Sequence, residues 1–151
     1  MTVIGERVPR SDGRAKVSGE AVYGVDHSEP GMIWGALLRS PVSSGRISRL
    51  DTSAAAAMPG VHAVVTAADA PDVRAGWVIK DQRLFARDVV VYEGQPIAAV
   101  AADTLEQARA AVAAIELEID PRPAVVDLEQ AMAPDAPLIR DDKEGQVDNL
   151  A

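Results

Sequence analysis

The side chains able to do chemistry are few and widely spaced in this chain. His27 and His62 are its two histidines, 35 residues apart, with no second His, Cys or carboxylate at ligand spacing. A metal site needs several convergent donors, so both read as ordinary surface or turn residues. Nucleophilic catalysis needs a serine held by a histidine and an orienting carboxylate. Ser40, ahead of Pro41, is the one serine in a notable setting, and no Gly-x-Ser-x-Gly surrounds it; it reads as the end of a strand. Asp141-Asp142 and Glu116/Glu118 read as solvated charge, because acid–base work requires burial and divergent pKa values. Neither a Gly-x-Gly-x-x-Gly nor a phosphate-loop pattern occurs. Gly94-Gln95 lies between two strand-like runs and reads as a tight hairpin turn. Arg14 and Lys16, bracketed by Gly13 and Gly19, could attract an anion, but two cations without a helix N-terminus make a weak site; the glycines read as backbone freedom at turns.

The elements that must position these residues follow from apolar pattern and punctuation. Residues 16–26 and 32–40 read as strands, the second nearly continuous in apolar side chains (Met32, Ile33, Trp34, Ala36, Leu37, Leu38), with Ser28-Glu29-Pro30-Gly31 as the turn between them. Residues 47–51, 61–66, 89–92, 97–102 and 115–119 read as further strands. In the last, Glu116, Glu118 and Asp120 alternate with Leu117 and Ile119, which predicts one wet face. Asp51 or Thr52 can cap a helical turn over 54–58 that Pro59-Gly60 ends. Thr104 stands three residues before Gln107, a capping-box spacing, and Leu105, Ala108, Val112 and Ile115 recur behind it at helical spacing. Asp127 and Gln130 repeat the device. The stretch 69–88 is the least regular, with Trp77-Val78-Ile79 and Leu84-Phe85 as its expected anchors. The mixture predicts an α+β fold with two or three short helices.

Composition narrows the function classes. The 151 residues are 48% hydrophobic but 3% aromatic, enough for one core built from Ala, Val, Ile and Leu. With no cysteine, disulfides, thiolate catalysis and cysteine-ligated clusters or structural zinc are excluded from this chain. A net charge of −8 argues against nucleic acid. The charge is uneven: residues 1–50 carry seven basic and five acidic groups, and the remainder eight and eighteen. The acidic part reads as a solvated face, with a partner-docking surface as the alternative. No apolar run approaches the roughly 20 residues of a membrane span, and residues 1–10 lack the apolar core of a secretory signal, so a cytoplasmic location without membrane association is expected.

Several blocks stand in one order: Asp12-Gly13-Arg14-Ala15-Lys16-Val17-Ser18-Gly19, then Pro30-Gly31-Met32, Arg39-Ser40-Pro41, Pro59-Gly60-Val61-His62-Ala63-Val64, and Tyr92-Glu93-Gly94-Gln95-Pro96-Ile97-Ala98-Ala99-Val100. Together with Asp103-Thr104 and Pro123-Ala124-Val125-Val126-Asp127, they resemble the N-terminal a/b hammerhead domain of molybdenum hydroxylase large subunits, the family of xanthine dehydrogenases, aldehyde oxidases and carbon monoxide dehydrogenases. The likeness runs from Val3 to about Pro137. Two departures stand out: Ser44 occupies a position where the family often has His, and Arg122 one where it has an apolar residue.

The resemblance implies a hammerhead domain over residues 1–140, with 141–151 beginning a linker toward a molybdenum-binding domain. It implies a structural and subunit-docking role in a molybdenum–pterin oxidoreductase, a chain inactive by itself, and no catalytic, cofactor-binding or metal-ligating residue within it. The molybdenum–pterin cofactor would belong to the full-length subunit, and iron–sulfur clusters and FAD to partner segments; the partners would be the rest of the large subunit and iron–sulfur and FAD subunits. With no cysteine cluster between Met1 and the first block, a separate molybdenum subunit is implied. The family places a Gly-Gln pair near its cofactor in a later domain, and that role is not carried onto Gln95. Two other readings remain: a stand-alone scaffold or binding module reusing the fold, and a carrier domain presenting a modified lysine, for which Val78-Ile79-Lys80-Asp81 is the one candidate segment.

Overall fold

The structure is a computed structural model describing residues 4, 5, 7–77, 80–139 and 149. The chain forms two compact units, Met1–Met32 and Ile33–Ala151.

The first unit is short and helical where an extended strand over 16–26 was expected. It contains α1 (Gly13–Ser18) and a 3-10 turn at Gly24–Asp26. The physical reason lies in local charge and backbone freedom. Asp12 sits ahead of the helix, with Lys16 one turn on at 2.7 Å and Arg10 at 2.8 Å, an i,i+4 pairing that suits a helix. Gly19 then ends it in the left-handed conformation, φ 78°. The Tyr23 N–H donates to the Asp26 carboxylate at 3.0 Å and tightens the second turn.

The second unit holds β1 (Trp34–Arg39), β2 (Gly45–Asp51), α2 (Ser53–Ala56), β3 (Val61–Thr66), β4 (Arg74–Ala75), β5 (Gln82–Arg83), β6 (Val89–Val90), β7 (Pro96–Ala102), α3 (Leu105–Ala113), β8 (Glu116–Pro121) and α4 (Leu128–Met132). Its strands make two antiparallel three-stranded sheets, ordered β1-β7-β3 and β6-β2-β8, with β4 and β5 pairing separately. The expected strands at 32–40, 47–51, 61–66, 97–102 and 115–119 are therefore present, and 89–92 shrinks to two residues.

Gly94-Gln95 is not the hairpin turn that the sequence suggested. The strands on either side of it, β6 and β7, lie in different sheets, so the turn hands the chain from one layer to the other. Gly94 adopts φ +83° there, a conformation that disfavours any other residue.

The helix read behind Thr104 is α3. The Thr104 hydroxyl accepts the Gln107 N–H at 3.2 Å, and Ala108 and Ala111 are fully buried. Asp127 caps α4 in the same way, accepting the Gln130 N–H at 2.9 Å. At α2 the carboxylate of Asp51, not Thr52, takes the Ser53 N–H and hydroxyl at 2.9 and 2.6 Å.

Two apolar clusters form the core of the described residues. Ala55, Ala98, Val100, Ala111 and Ile115 fill one; Ala86, Val90 and Ile97 fill the other; Leu38 and Leu50 pack against both. A bulge joins them: Leu38 pairs with Ala98 and Arg39 with Pro96, leaving Ile97 as the extra residue. Two consecutive side chains, Ile97 and Ala98, can then both be buried, one in each cluster. On β2, Gly45 is required by close approach, since a Cβ there would collide with the Ile119 Cγ2 and stand 2.9 Å from the Asp120 carbonyl oxygen.

Residues 69–88 are anchored differently from expectation. Trp77 is fully exposed and Leu84 about half exposed, while Ala86 is buried and Phe85 half-buried. Val78 and Ile79 lie outside the described residues, as does the expected linker at 141–151 apart from Asn149. No helix among the described residues is long and apolar enough to cross a membrane.

Candidate functional site

The fold gives His62 a partner that sequence spacing hid. A register shift at the start of β3 leaves His62 between Val61, paired with Ala102, and Ala63, paired with Ala101. Asp103 follows β7 directly, and its N–H donates to the Gly60 carbonyl at 2.9 Å. The His62 Nε2 and Asp103 Oδ1 then stand 2.7 Å apart with both side chains at least half exposed. His27 has Glu29 at 3.3 Å, in the first unit, also exposed. Such solvated pairs contribute at most about 1 kcal/mol. Among the described residues no group of three or more His, Cys, Asp or Glu converges.

Ser40 and Gln95 are the two buried polar residues among those described, and both are committed to holding the crossing between sheets. The Ser40 hydroxyl donates to the Val42 carbonyl at 2.7 Å and accepts the Val42 N–H at 3.2 Å. The Gln95 side-chain oxygen accepts the Val91 N–H at 2.8 Å. Backbone bonds lock the two together: Ser40 N–H to Gln95 O and Gly94 N–H to Ser40 O, each 2.9 Å. The Arg39 guanidinium closes the set on the Gly94 carbonyl at 2.9 Å. A hydroxyl and an amide engaged in this way brace a turn.

A hollow of about 200 Å³ opens between Ser43, Ser44, Tyr92, Glu93, Val125 and Leu138. Ser44, at the position where the resembled family often carries His, thus lines a cavity wall. A second hollow of about 50 Å³ is bordered by Arg83, Arg87, Tyr92 and Gln95. Three of its polar groups are engaged: Arg83 is paired with Asp72, Arg87 donates to the Ala67 carbonyl at 2.8 Å, and Gln95 holds Val91. Both are smaller than the roughly 300–1,000 Å³ common for ligand pockets.

The surface with the clearest character is the sheet pair itself. Paired residues share a face, so register assigns the faces. In β6-β2-β8, Ile47, Leu50, Leu117 and Ile119 turn to the core. The opposite face carries Arg46, Arg49, Asp51, Glu116, Glu118 and Asp120, with Arg49 lying 2.5 Å from Glu116, 3.5 Å from Asp51 and 3.8 Å from Glu118. In β1-β7-β3, Leu38, Val64, Ala98 and Val100 turn to the core. The centre of the opposite face is Gly35, Leu37, Ala63, Val65, Ala99 and Ala101, and Arg39 stands at its end on β1. None of the six is fully buried, and Leu37 is 42% exposed.

Two sheets bridged by a braced crossover, with a capped helix on one of them, define the class. Residues 18–123 match the family described as aldehyde oxidase and xanthine dehydrogenase, a/b hammerhead domain, and the chain belongs to that family. A probable xanthine dehydrogenase subunit of Bacillus subtilis is 43% identical over 134 residues, 88% of this chain and 18% of that protein. The carbon monoxide dehydrogenase large chain of Hydrogenophaga pseudoflava is 37% identical over 135 residues, 87% of this chain and 17% of that one. A crystal structure of a Cu,Mo-CO dehydrogenase in its carbon monoxide reduced state superposes with a TM-score of 0.84 at 36% identity, covering 91% of this chain and 18% of that one. The aldehyde oxidoreductase of Desulfovibrio gigas follows at 0.77 and 31%, covering 88% and 16%. The chain thus spans less than a fifth of the length of these relatives.

Proposed function

We propose that this chain is the structural and subunit-docking part of the large subunit of a molybdenum–pterin oxidoreductase of the xanthine dehydrogenase and aldehyde oxidase type, with the chemistry carried by residues outside it. The observation that carries the reading is the family match over residues 18–123, joined to a fold whose candidate reactive groups are already occupied in bracing. In the assembled enzyme the molybdenum–pterin cofactor belongs to the rest of the large subunit, and the partners are iron–sulfur and FAD subunits.

The residues of this chain do not fit those groups. Iron–sulfur clusters need thiolates, and the chain has no cysteine. A pterin phosphate needs open N–H donors on a turn. The Gly-Gln turn among the described residues gives its Gly94 N–H to Ser40 and its Gln95 N–H to Tyr92. Residues 141–151 serve in this reading as the start of a linker toward the molybdenum-binding segment.

The test is a pair of preparations from a host that makes the pterin: the 151-residue chain and the full gene product. Molybdenum by mass spectrometry and dye reduction with aldehydes and purines should be positive for the second alone. Stoichiometric molybdenum in the short chain would overturn the assignment of chemistry elsewhere. A gene product that ends with this domain and holds no molybdenum would favour the stand-alone scaffold.

A further inference from the structure

We infer that Asn149 is a clamp that ends this domain: its side-chain amide stands in for a neighbouring strand beside residues 137–139 and fixes the point from which the polypeptide leaves. The inference goes beyond the proposed function, because it concerns a bond set within this chain. It moves the start of the linker proposed above from residue 141 to beyond Asn149.

Three hydrogen bonds carry it. The Asn149 Oδ1 accepts the Ile139 N–H at 2.8 Å. Its Nδ2 donates to the Pro137 carbonyl at 3.0 Å and to the Ala131 carbonyl at 3.2 Å. The partners lie 10, 12 and 18 residues away in sequence, so these are not the short-range bonds of an Asn turn. All four residues belong to the second unit. A primary amide has one oxygen and two N–H donors, and here both donors and the oxygen are engaged. Reversing the amide would set donor against donor and acceptor against acceptor. The bonds therefore select the residue type: Asp has no donor when ionised, Ser and Thr have one, and Gln carries its amide farther from the backbone.

The backbone groups that are held explain what the clamp does. Ala131 lies in the last turn of α4, where the final carbonyls find no partner inside the helix. Residues 136–138 belong to neither a helix nor a strand, and Pro134 and Pro137 have no N–H to give. In a parallel strand pair, one residue donates its N–H to a carbonyl and accepts the N–H two residues further on. Asn149 makes that pattern with Pro137 and Ile139, using a side chain in place of a peptide group. Its third bond ties the same stretch to the end of α4. Pro137, Leu138 and Ile139 line the hollow of about 200 Å³, so the clamp also holds part of that lining in place.

Amide hydrogen exchange, followed by NMR in the 151-residue chain, tests the clamp. In the parent, the Ile139 N–H should exchange at least about tenfold more slowly than a free peptide. Asn149→Ala should bring it to the free-peptide rate while the amides of β7 keep their protection. Asn149→Asp retains an acceptor oxygen but at neutral pH offers no N–H to the two carbonyls, so it should lose as much protection as Asn149→Ala. Free-peptide exchange of Ile139 in the parent would overturn the inference without any variant. So would unchanged protection in Asn149→Ala, or protection in Asn149→Asp equal to the parent's. A loss in Asn149→Ala that runs equally through β7 would make Asn149 a support of the whole fold and overturn the local clamp. None of these readings uses molybdenum, so failure of the proposed function leaves the test intact.

Discussion

The two three-stranded sheets of the second unit have the same strand count, the same antiparallel pairing and a common core through Leu38 and Leu50, yet their outer faces are opposites. One carries Arg46, Arg49, Asp51, Glu116, Glu118 and Asp120; the other is Gly, Ala, Leu and Val across its centre, with Arg39 its one charged strand residue at the end of β1. Core packing does not account for the difference, because the inner faces are alike. The difference lies in how each outer face suits water. Water satisfies the first, whereas the second gains only when apolar surface is laid on it, at about 25 cal/mol for each Å² removed from water.

The sharpest way to break this comparison is to place the same charge on both sides of one sheet. Ala111 on α3 is fully buried against the inner face, so Ala111→Asp should cost on the order of 3 kcal/mol or more, since a buried carboxylate finds no partner there. Ala101→Asp on the outer face should cost less than about 1 kcal/mol in the chain by itself. Urea midpoints that fall equally for both would mean the outer face is already covered within this chain.

A second variant probes the charged sheet. Gly45→Ala drives a methyl into the Ile119 Cγ2 and the Asp120 carbonyl. The β2–β8 ladder must shift, at about 1–3 kcal/mol. An unchanged urea midpoint would refute the tight approach of those strands. Smaller still is the cap of α3: Thr104→Ala removes the oxygen that accepts the Gln107 N–H and should lower stability by about 1 kcal/mol. Thr104→Ser should keep most of it, and equal losses in both variants would place the effect elsewhere.

Much of this architecture was legible before any coordinates, and the reasons are local. Thr104 with Gln107, Asp127 with Gln130, and the alternation from Glu116 to Asp120 each announce an element within a few residues. The ordered blocks from Asp12 to Val126 carried the family. The failures share a cause as well. Residues 16–26 show strand-like composition, but the ion pair from Asp12 to Lys16 and the left-handed Gly19 decide in favour of a helical turn. Gly94-Gln95 looks like a hairpin because sequence cannot say which sheet each flank joins. Trp77 looks like an anchor because it is large and apolar, yet it is fully exposed. Asp103 reaches His62 across 41 residues, and nothing nearer than strand register could have revealed it. The apolar centre of that sheet face was visible as the nearly continuous apolar run ahead of Arg39, but its facing needed the pairing of Leu37 with Ala99.

The smallest expected effect concerns acid, and it tests whether the charged face is held by local bonds or by bulk charge. Asp51 closes the charged sheet onto α2. Its carboxyl is held below the ordinary aspartate range, first by the Ser53 hydroxyl, then by the Ser53 N–H, with Arg49 adding less. A carboxyl depressed on folding stabilises the native state above its unfolded value, and that contribution fades as pH falls through the folded value. The loss therefore lies below about pH 4, and it is small because the group is exposed. Ser53→Ala should return the Asp51 titration toward the ordinary range in a carbon-detected NMR experiment, while Arg49→Ala should move it less. If Arg49→Ala moves it more, the ion-pair cluster is what organises this face, and the contrast between the sheets would be one of paired charge. If Ser53→Ala moves it more, the acidic residues are individually solvated and locally bonded, which is what a face left open to water requires.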